Sequence, residues 1–182
     1  GNALGGFAHV VVTAPLAVSR ELVATYPALV ARLSEGSHDA CWAVMVDFDG
    51  PVPDPAEVLR TDGPLGWAAR DSSKPGRASG EAWVLHATAA WSQAHLQAAP
   101  EAVCAELLAA LDKELGPIPA PRAVHARLWP HARVVRSLGT GCVHDAKAGL
   151  VVAGDGMLGP RVEAAWVSGR AAAGALLALT SG

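Results

Sequence analysis

The chain has 182 residues, of which 51% are hydrophobic, and its formal net charge is −3. This length and hydrophobicity suffice for one sizeable core or two small lobes. The negative charge argues against nucleic acid or an anionic membrane as a partner, because both attract clustered lysine and arginine. No apolar run approaches the roughly 20 residues that cross a bilayer, so we expect no membrane-spanning segment.

The first predicted element is a strand over Ala8 to Ala14, a β-branched run that ends at Pro15. Two alanine-rich helices follow at about residues 16–25 and 27–33, and Gly36 closes the second one. These helices carry no residues that indicate chemistry. We therefore expect them to serve packing.

A second strand is predicted over Ala40 to Asp49, where large and small side chains alternate. One face carries the larger apolar side chains and is predicted to be a core or a cavity wall: Trp42, Val44, Val46 and Phe48. The other face carries Cys41, Ala43, Met45 and Asp47. The proline-rich residues 50–63 are predicted to form a connection with one helical turn at residues 56–60.

Residues 65–71 and 81–88 are predicted to form an antiparallel hairpin with a long polar tip. Trp67 and Trp83 would then lie on neighbouring strands. Together with Trp42 they could form the floor of an aromatic cavity that receives a planar substrate. The alternative is that each tryptophan is an ordinary core residue.

The hairpin tip contains a compact polar and basic cluster, SSKPGR, from Ser72 to Arg77. If the substrate carries a phosphate or a carboxylate, Lys74 is the first candidate to bind it. The alternative is a solvated tip without a ligand, and this fits Arg77 better than Lys74.

Helices are predicted over residues 89–96 and 100–115, the second with apolar side chains at helical spacing and a stop at Gly116. Residues 120–136 are predicted to form a strand pair, or one strand interrupted by Pro130. A loop or short strand is expected over residues 137–147.

The last predicted unit, Gly149 to Leu177, is a buried strand, a glycine turn and a helix. Gly154, Gly156 and Gly159 provide backbone freedom before Pro160 starts the helix. Such a turn aims backbone N–H groups and a helix dipole at one point, where an anionic group would be stabilised. The helix has a flank of small residues that can approach a sheet or a flat ligand closely.

Other kinds of site have little support in the sequence. Cys41, Cys104 and Cys142 are far apart and are interpreted as reduced structural thiols. His125 and His131 flank Trp129 without a suitable third ligand, so no metal site is predicted. No G-x-S-x-G elbow or Walker loop indicates hydrolysis or phosphoryl transfer.

Several motifs together resemble a known family. AGDGMLGPRVEAAWVSGRAAA, from Ala153 to Ala173, is similar to the closing signature of the FAD-dependent amine oxidase superfamily. HVVVTAP, CWAVMVDF, GWAARDSSKPGR and EAWVLHATAAWSQAHL resemble, in that order, the renalase-like branch of bacterial FAD-dependent oxidoreductases. The resemblance covers nearly the whole chain.

The resemblance implies an α/β (α+β) fold: a partial FAD/NAD(P)-binding fold with an antiparallel-sheet substrate domain. Residues 1–36 would return to the FAD domain, 37–136 would form the substrate domain with its covering helices, and 137–182 would supply the last strand, turn and helix. The N-terminal G-x-G-x-x-G unit of the family is lacking, since the cluster GNALGG precedes a strand instead of following one. We therefore expect the C-terminal part of a longer flavoprotein, or a truncated relative.

The resemblance also implies a cofactor site for FAD. Gly154, Asp155 and Gly156 would lie beside its ribityl and phosphate portion. The backbone amides of four further residues would approach the isoalloxazine: Arg161, Val162, Glu163 and Ala164. Asp155 would accept a hydrogen bond from a ribityl hydroxyl, whereas Glu163 could instead complement the helix dipole.

The candidate substrate residues are Trp42, Trp67, Trp83 and Lys74, from the strand and loop patterns above, and Trp129, from the resemblance. Trp129 lies where relatives carry an HRW-like segment, which here reads Arg127, Leu128, Trp129. An amine or a dihydronicotinamide would donate hydride to the flavin, and oxygen would be the acceptor. Hydride transfer needs no dedicated acid or base, so no catalytic residue is assigned.

The partners implied are a small-molecule substrate and a missing N-terminal FAD-binding segment or partner chain, in a cytoplasmic protein. The alternatives are a flavin-free binding or assembly module that keeps the substrate domain, and an inactive fragment. An inactive fragment would expose apolar surface and self-associate.

Overall fold

The computed structural model describes residues 5–53, 57–77 and 79–180. The strands are β1 (Val10–Val12), β2 (Ser37–Phe48), β3 (Val58–Arg60), β4 (Leu65–Arg70), β5 (Glu81–Ala87), β6 (Pro121–Arg136), β7 (Val143–Asp145) and β8 (Leu150–Val152). The helices are α1 (Leu16–Leu22), α2 (Pro27–Leu33), α3 (Ala89–Ala94), α4 (Pro100–Leu115), α5 (Asp155–Leu158) and α6 (Val162–Thr180). The chain divides into two compact units, one continuous (Ala40–Ala132) and one made of Gly1–Asp39 with Arg133–Gly182.

The continuous unit is built on a five-stranded sheet in the order β3-β4-β5-β2-β6. Antiparallel pairing places Val44 opposite Leu85 and Val46 opposite Trp83. Because side chains alternate along a strand, these residues point to one face, and α4 covers that face with Val103, Leu107 and Leu111. The predicted apolar face of β2 is confirmed, since Trp42, Val44, Val46 and Phe48 are all buried.

The connection before β4 differs from the prediction. Residues 58–60 form β3, which pairs antiparallel with β4 and places Leu59 opposite Ala68. The predicted helical turn over residues 56–60 is therefore wrong for residues 58–60, and residue 56 lies outside the described residues. A short segment with weak intrinsic preference takes its conformation from the strand edge that it pairs with, which local sequence does not reveal.

The discontinuous unit contains a three-stranded sheet in the order β1-β8-β7. β1 and β8 run parallel, with Val11 opposite Val151. Helices α1 and α2 cover part of it, where Leu16, Leu33 and Met157 are buried in one cluster. Two strands far apart in sequence thus form the base from which the glycine turn leaves the sheet.

Helix α6 packs through small residues, as its sequence predicts. Ala164, Ser168 and Ala172 are buried at a spacing of four residues, and Ala172 belongs to a cluster with Val151 and Ala153. By length and composition alone, its 19 residues are also apolar enough to cross a bilayer, so the expectation that no apolar run is that long is wrong. Because its small-residue stripe packs on β8, we interpret α6 as a packing helix of this unit.

Candidate functional site

The glycine turn after β8 uses left-handed backbone at two positions. Gly154 has φ 132° and Gly159 has φ 139°, conformations that residues with a Cβ rarely adopt. Between them lies the four-residue helix α5, which no sequence pattern predicted. The N–H of Gly154 donates a 2.9 Å hydrogen bond to the hydroxyl of Ser168, which is fully buried. This bond ties the start of the turn to α6.

Close packing around Gly156 leaves no room for a side chain. A Cβ at this position would lie 2.6 Å from Cγ of Leu16, a core side chain that is 3% exposed. Its carbonyl also accepts a hydrogen bond from the N–H of Leu138 at 3.1 Å. The structure therefore places Gly156 inside the unit, and a role beside FAD stays a prediction.

The first turn of α6 is open on one side. Arg161, Val162 and Glu163 are exposed, with Val162 85% exposed, whereas Ala164 is buried. A Cβ built on Gly159 would meet no atom within 4 Å. The N–H groups of Arg161 and Ala164 already donate, to the carbonyls of Gly159 at 2.9 Å and Arg161 at 3.1 Å. The first N–H groups of a helix have no partner within it, which leaves those of Val162 and Glu163 to donate to an anionic or electron-rich group. Asp155, which begins α5, is partly exposed in the same turn.

A groove of about 430 Å³ lies on the continuous unit, on the sheet face that α4 does not cover. Met45 and Asp47 of β2 pair with Val84 and Ala82 of β5, so these four side chains share one face. The remaining lining residues are Val46, Asp71, Trp83, Ala123, Val124 and His125. The groove is therefore apolar along its floor and polar at its rim.

Both carboxylates of the groove are paired with cations. Asp47 lies 3.4 Å from the guanidinium of Arg122. Asp71 lies 2.5 Å from Nζ of Lys74 and 3.3 Å from Nε of Arg77. The hydrogen bond from Lys74, together with the charges of both cations, lowers the pKa of Asp71 below its ordinary value. Lys74 is thus bound to Asp71, and binding a substrate anion would compete with that ion pair.

The three tryptophans of the predicted aromatic cavity do not share a surface. Trp42 and Trp83 are 4% and 1% exposed and lie in the core beneath α4. Trp67 is paired with His86, and their ring centroids are 4.8 Å apart. Val84 and His86 are on the opposite face from Trp83, because alternate residues of a strand face opposite ways. The predicted joint cavity is therefore wrong, and for Trp42 and Trp83 the core alternative is confirmed.

Trp129 differs from the other predicted tryptophans because it is 52% exposed. The guanidinium of Arg127 lies 5.1 Å from the centre of its ring, which is cation–π geometry. Ala126 is buried in the core and Leu128 packs against it. By alternation, Arg127 and Trp129 point to the same face as His125, which lines the groove.

No sequence pattern predicted the groove itself. The face of β2 with the smaller side chains was predicted but given no role, and it supplies Met45 to the floor and Asp47 to the rim. The signal was present as the alternation of β2. Only the strand order brings that face beside Val84 of β5 and Ala123 of β6.

No protein-family model matches the chain. Among solved structures, it is similar to one provisionally named a protoporphyrinogen oxidase, from Exiguobacterium sp. 255-15, with TM-score 0.68, 14% identity and coverage of 93% of this chain and 41% of that one. It is also similar to an oxidoreductase from Methanosarcina mazei, with TM-score 0.61, 17% identity and coverage of 92% and 43%. The chain thus spans less than half the length of either structure. The predicted fold class is confirmed: a mixed α/β fold with an antiparallel sheet, shared with part of two oxidoreductase structures.

Proposed function

We propose that this chain is the C-terminal portion of a renalase-like, FAD-dependent oxidoreductase. Its substrate would be an amine or a dihydronicotinamide, and oxygen would be the final acceptor. The observation that carries the proposal is the glycine turn between β8 and α6, whose first helical turn is open. The fold shared with two oxidoreductase structures supports it.

The residues around this turn fit an electron-rich cofactor. When bound, FAD accepts a hydride from the donor and passes the electrons to oxygen. The amides at Val162 and Glu163 would stabilise negative charge there, since they lie at the N-terminus of α6. Asp155 would accept a hydroxyl hydrogen bond, because it is partly exposed. Ala164 would contribute through packing, since its side chain is buried and its N–H already donates to the carbonyl of Arg161 at 3.1 Å.

The proposal includes a nucleotide-binding segment, supplied by a longer chain or by a partner. Two features of the molecule support this. The chain corresponds to 41% and 43% of the two similar structures. In addition, β1 is an edge strand of its sheet, and Val10 and Val11 are 42% and 41% exposed. Such an edge can pair with a further strand. We propose a cytoplasmic location for the assembled protein.

A second candidate is a flavin-free binding module. The observation that favours it is that every lining residue of the groove lies within the continuous unit, Ala40–Ala132. A ligand could therefore bind to this surface without any contribution from the cofactor turn.

The visible absorption spectrum of the purified protein separates the two candidates. The longest natural protein that contains these residues should retain a flavin band after FAD is added and the excess removed. The substitution Asp155→Ala should lower the amount of retained flavin, whereas Asp62→Ala, at an exposed position of the continuous unit, should not. A colourless longer protein, folded by circular dichroism, would overturn the oxidoreductase proposal and leave the binding module.

The 182-residue chain should be measured in the same way. A flavin band would mean that the turn and α6 suffice to hold the cofactor. A colourless chain beside a yellow longer protein would assign the remaining contacts to the nucleotide-binding segment.

A further inference from the structure

An exposed arginine lies on the open face of the sheet, just beyond the groove. His125 lines the groove, and Arg127 follows it on the same face of β6, about 7 Å further along the strand. Arg127 is exposed, and its guanidinium lies 5.1 Å from the ring centre of Trp129. Stacking on an aromatic ring holds a guanidinium in place while its N–H groups stay available to a ligand.

The charges around the groove differ in how far they are neutralised. Asp47 shares Arg122 with Asp49, whereas Asp71 is paired with both Lys74 and Arg77. No carboxylate of residues 5–53, 57–77 and 79–180 lies within 4 Å of the Arg127 guanidinium. The two carboxylates with one cation and the one carboxylate with two cations together balance in charge, so the positive charge of Arg127 is available to an anionic ligand.

We propose that this face binds a planar, apolar ring system that carries one anionic group. The rings lie on the floor formed by Met45, Ala82 and Val84, and the anion pairs with Arg127. The groove volume of about 430 Å³ is in the range of small-molecule sites, roughly 300–1,000 Å³. This deepens the proposed function, since it names the class of molecule on which the oxidoreductase would act, but the binding itself requires no flavin.

Four naphthalene probes test the proposal on the 182-residue chain in the absence of FAD. The probes share one ring system and differ in charge: 2-naphthoate, 2-naphthyl phosphate, 2-naphthalenemethanol and 2-naphthylmethylammonium. Calorimetric titration should show naphthoate or naphthyl phosphate binding about fivefold more tightly than the neutral alcohol, as for a solvent-exposed ion pair. The tighter of the two anions distinguishes a carboxylate ligand from a phosphate ligand.

Two variants separate the charge from the apolar floor. Arg127→Gln should reduce the affinity for both anions to that for the alcohol and leave the alcohol unchanged. Ala82→Phe fills the groove and should weaken binding of every probe about tenfold or more, because the rings lose their apolar contact. The matched controls are Arg60→Gln and Val58→Phe on β3, which lies at the opposite edge of the sheet from β6.

Three results would overturn the proposal. They are failure of all probes to bind the folded chain, unchanged anion binding by Arg127→Gln, and tightest binding of the ammonium probe. None of these depends on flavin retention. A chain that binds naphthoate through Arg127 while the longer protein stays colourless would keep this proposal and remove the oxidoreductase.

Discussion

The carboxylate of Glu81 interacts with both a guanidinium and an indole N–H at the edge of the core. Its Oε1 accepts a 2.6 Å hydrogen bond from Nε1–H of Trp83 and lies 3.0 Å from Nε of Arg70, whose guanidinium is 5.2 Å from the Trp83 ring centre. The two charged side chains are only 12% and 19% exposed. Glu81→Gln should lower the free energy of unfolding by about 2 kcal/mol, because hydrogen bonds to charged groups contribute about 1.5–3 kcal/mol.

Urea unfolding followed by tryptophan fluorescence measures this loss. Glu35→Gln is the matched control, since its ion pair with Arg32 is about half exposed on both sides and should change stability by less than about 0.5 kcal/mol. Equal effects of the two substitutions would contradict a special role for the Glu81 pair.

His86 is a histidine kept partly away from water on the open sheet face. Its ring lies tilted beside that of Trp67, with the centroids 4.8 Å apart, and burial lowers its pKa below the ordinary 6.5. The unfolded chain therefore binds the proton more readily, so stability is lost as the pH falls below 6.5 towards the lower pKa of the folded protein. The thermal unfolding midpoint should decrease when the pH is lowered from 7.5 to 5.5. This decrease should be smaller in the His86→Gln variant. A titration of His86 by NMR at or above 6.5 would contradict this account.

Strands with a clear alternation were predictable, and edge pairing was not. The sequence pattern of β2 identified its buried face, and the hairpin of β4 and β5 is confirmed by their antiparallel register. The helix over residues 100–115 is α4, with Pro100 at its first turn. By contrast, β3 has three residues and exists because it pairs with β4. The partner of β3 is the next strand in the chain, whereas α5 is held by distant residues, since Met157 packs with Leu16 and Gly156 bonds to Leu138.

The glycine turn offers a direct test of what each glycine is for. Gly156→Ala should destabilise the protein by about 1–3 kcal/mol, because its Cβ would lie 2.6 Å from Cγ of the buried Leu16. Gly174→Ala should instead stabilise by up to about 1 kcal/mol, since it lies within α6 and its Cβ would meet nothing within 4 Å. Thermal unfolding of both variants gives the sign. If Gly156→Ala leaves the stability unchanged, packing does not require glycine here, and proximity to the cofactor would be the better explanation.

One candidate site, the glycine turn, was predictable from local sequence, whereas the other, the groove, depends on how the strands pair. The small-residue stripe of α6 and the turn before it are sequence patterns, and α6 packs on β8 through that stripe, as predicted. The joint cavity of Trp42, Trp67 and Trp83 failed because neighbouring strands pair in a register that puts Trp67 opposite His86. A shift of one residue in register moves every side chain to the other face. Motifs therefore indicated the turn, whereas the groove required the strand pairing.

In one of the two units, a single continuous stretch of chain supplies every residue of the hydrophobic core. All residues of the cluster around Trp83 and Leu107, including the partly buried ones, lie between residues 40 and 132. An independent core is what allows a domain to fold alone. We therefore expect a fragment of residues 40–132 to unfold cooperatively in urea, with the blue-shifted emission of buried tryptophan.

Within that fragment, Leu107→Ala should lower the free energy of unfolding by about 2–5 kcal/mol, because Leu107 is fully buried where α4 packs on the sheet. Val58→Ala is the matched control, since Val58 is 53% exposed and should change stability by less than about 0.5 kcal/mol. A fragment without a cooperative transition, or one indifferent to Leu107→Ala, would show that this core depends on the rest of the chain. A cooperative fragment that still binds naphthoate would place the whole ligand site in this unit, because all of its contacts come from residues 45–129.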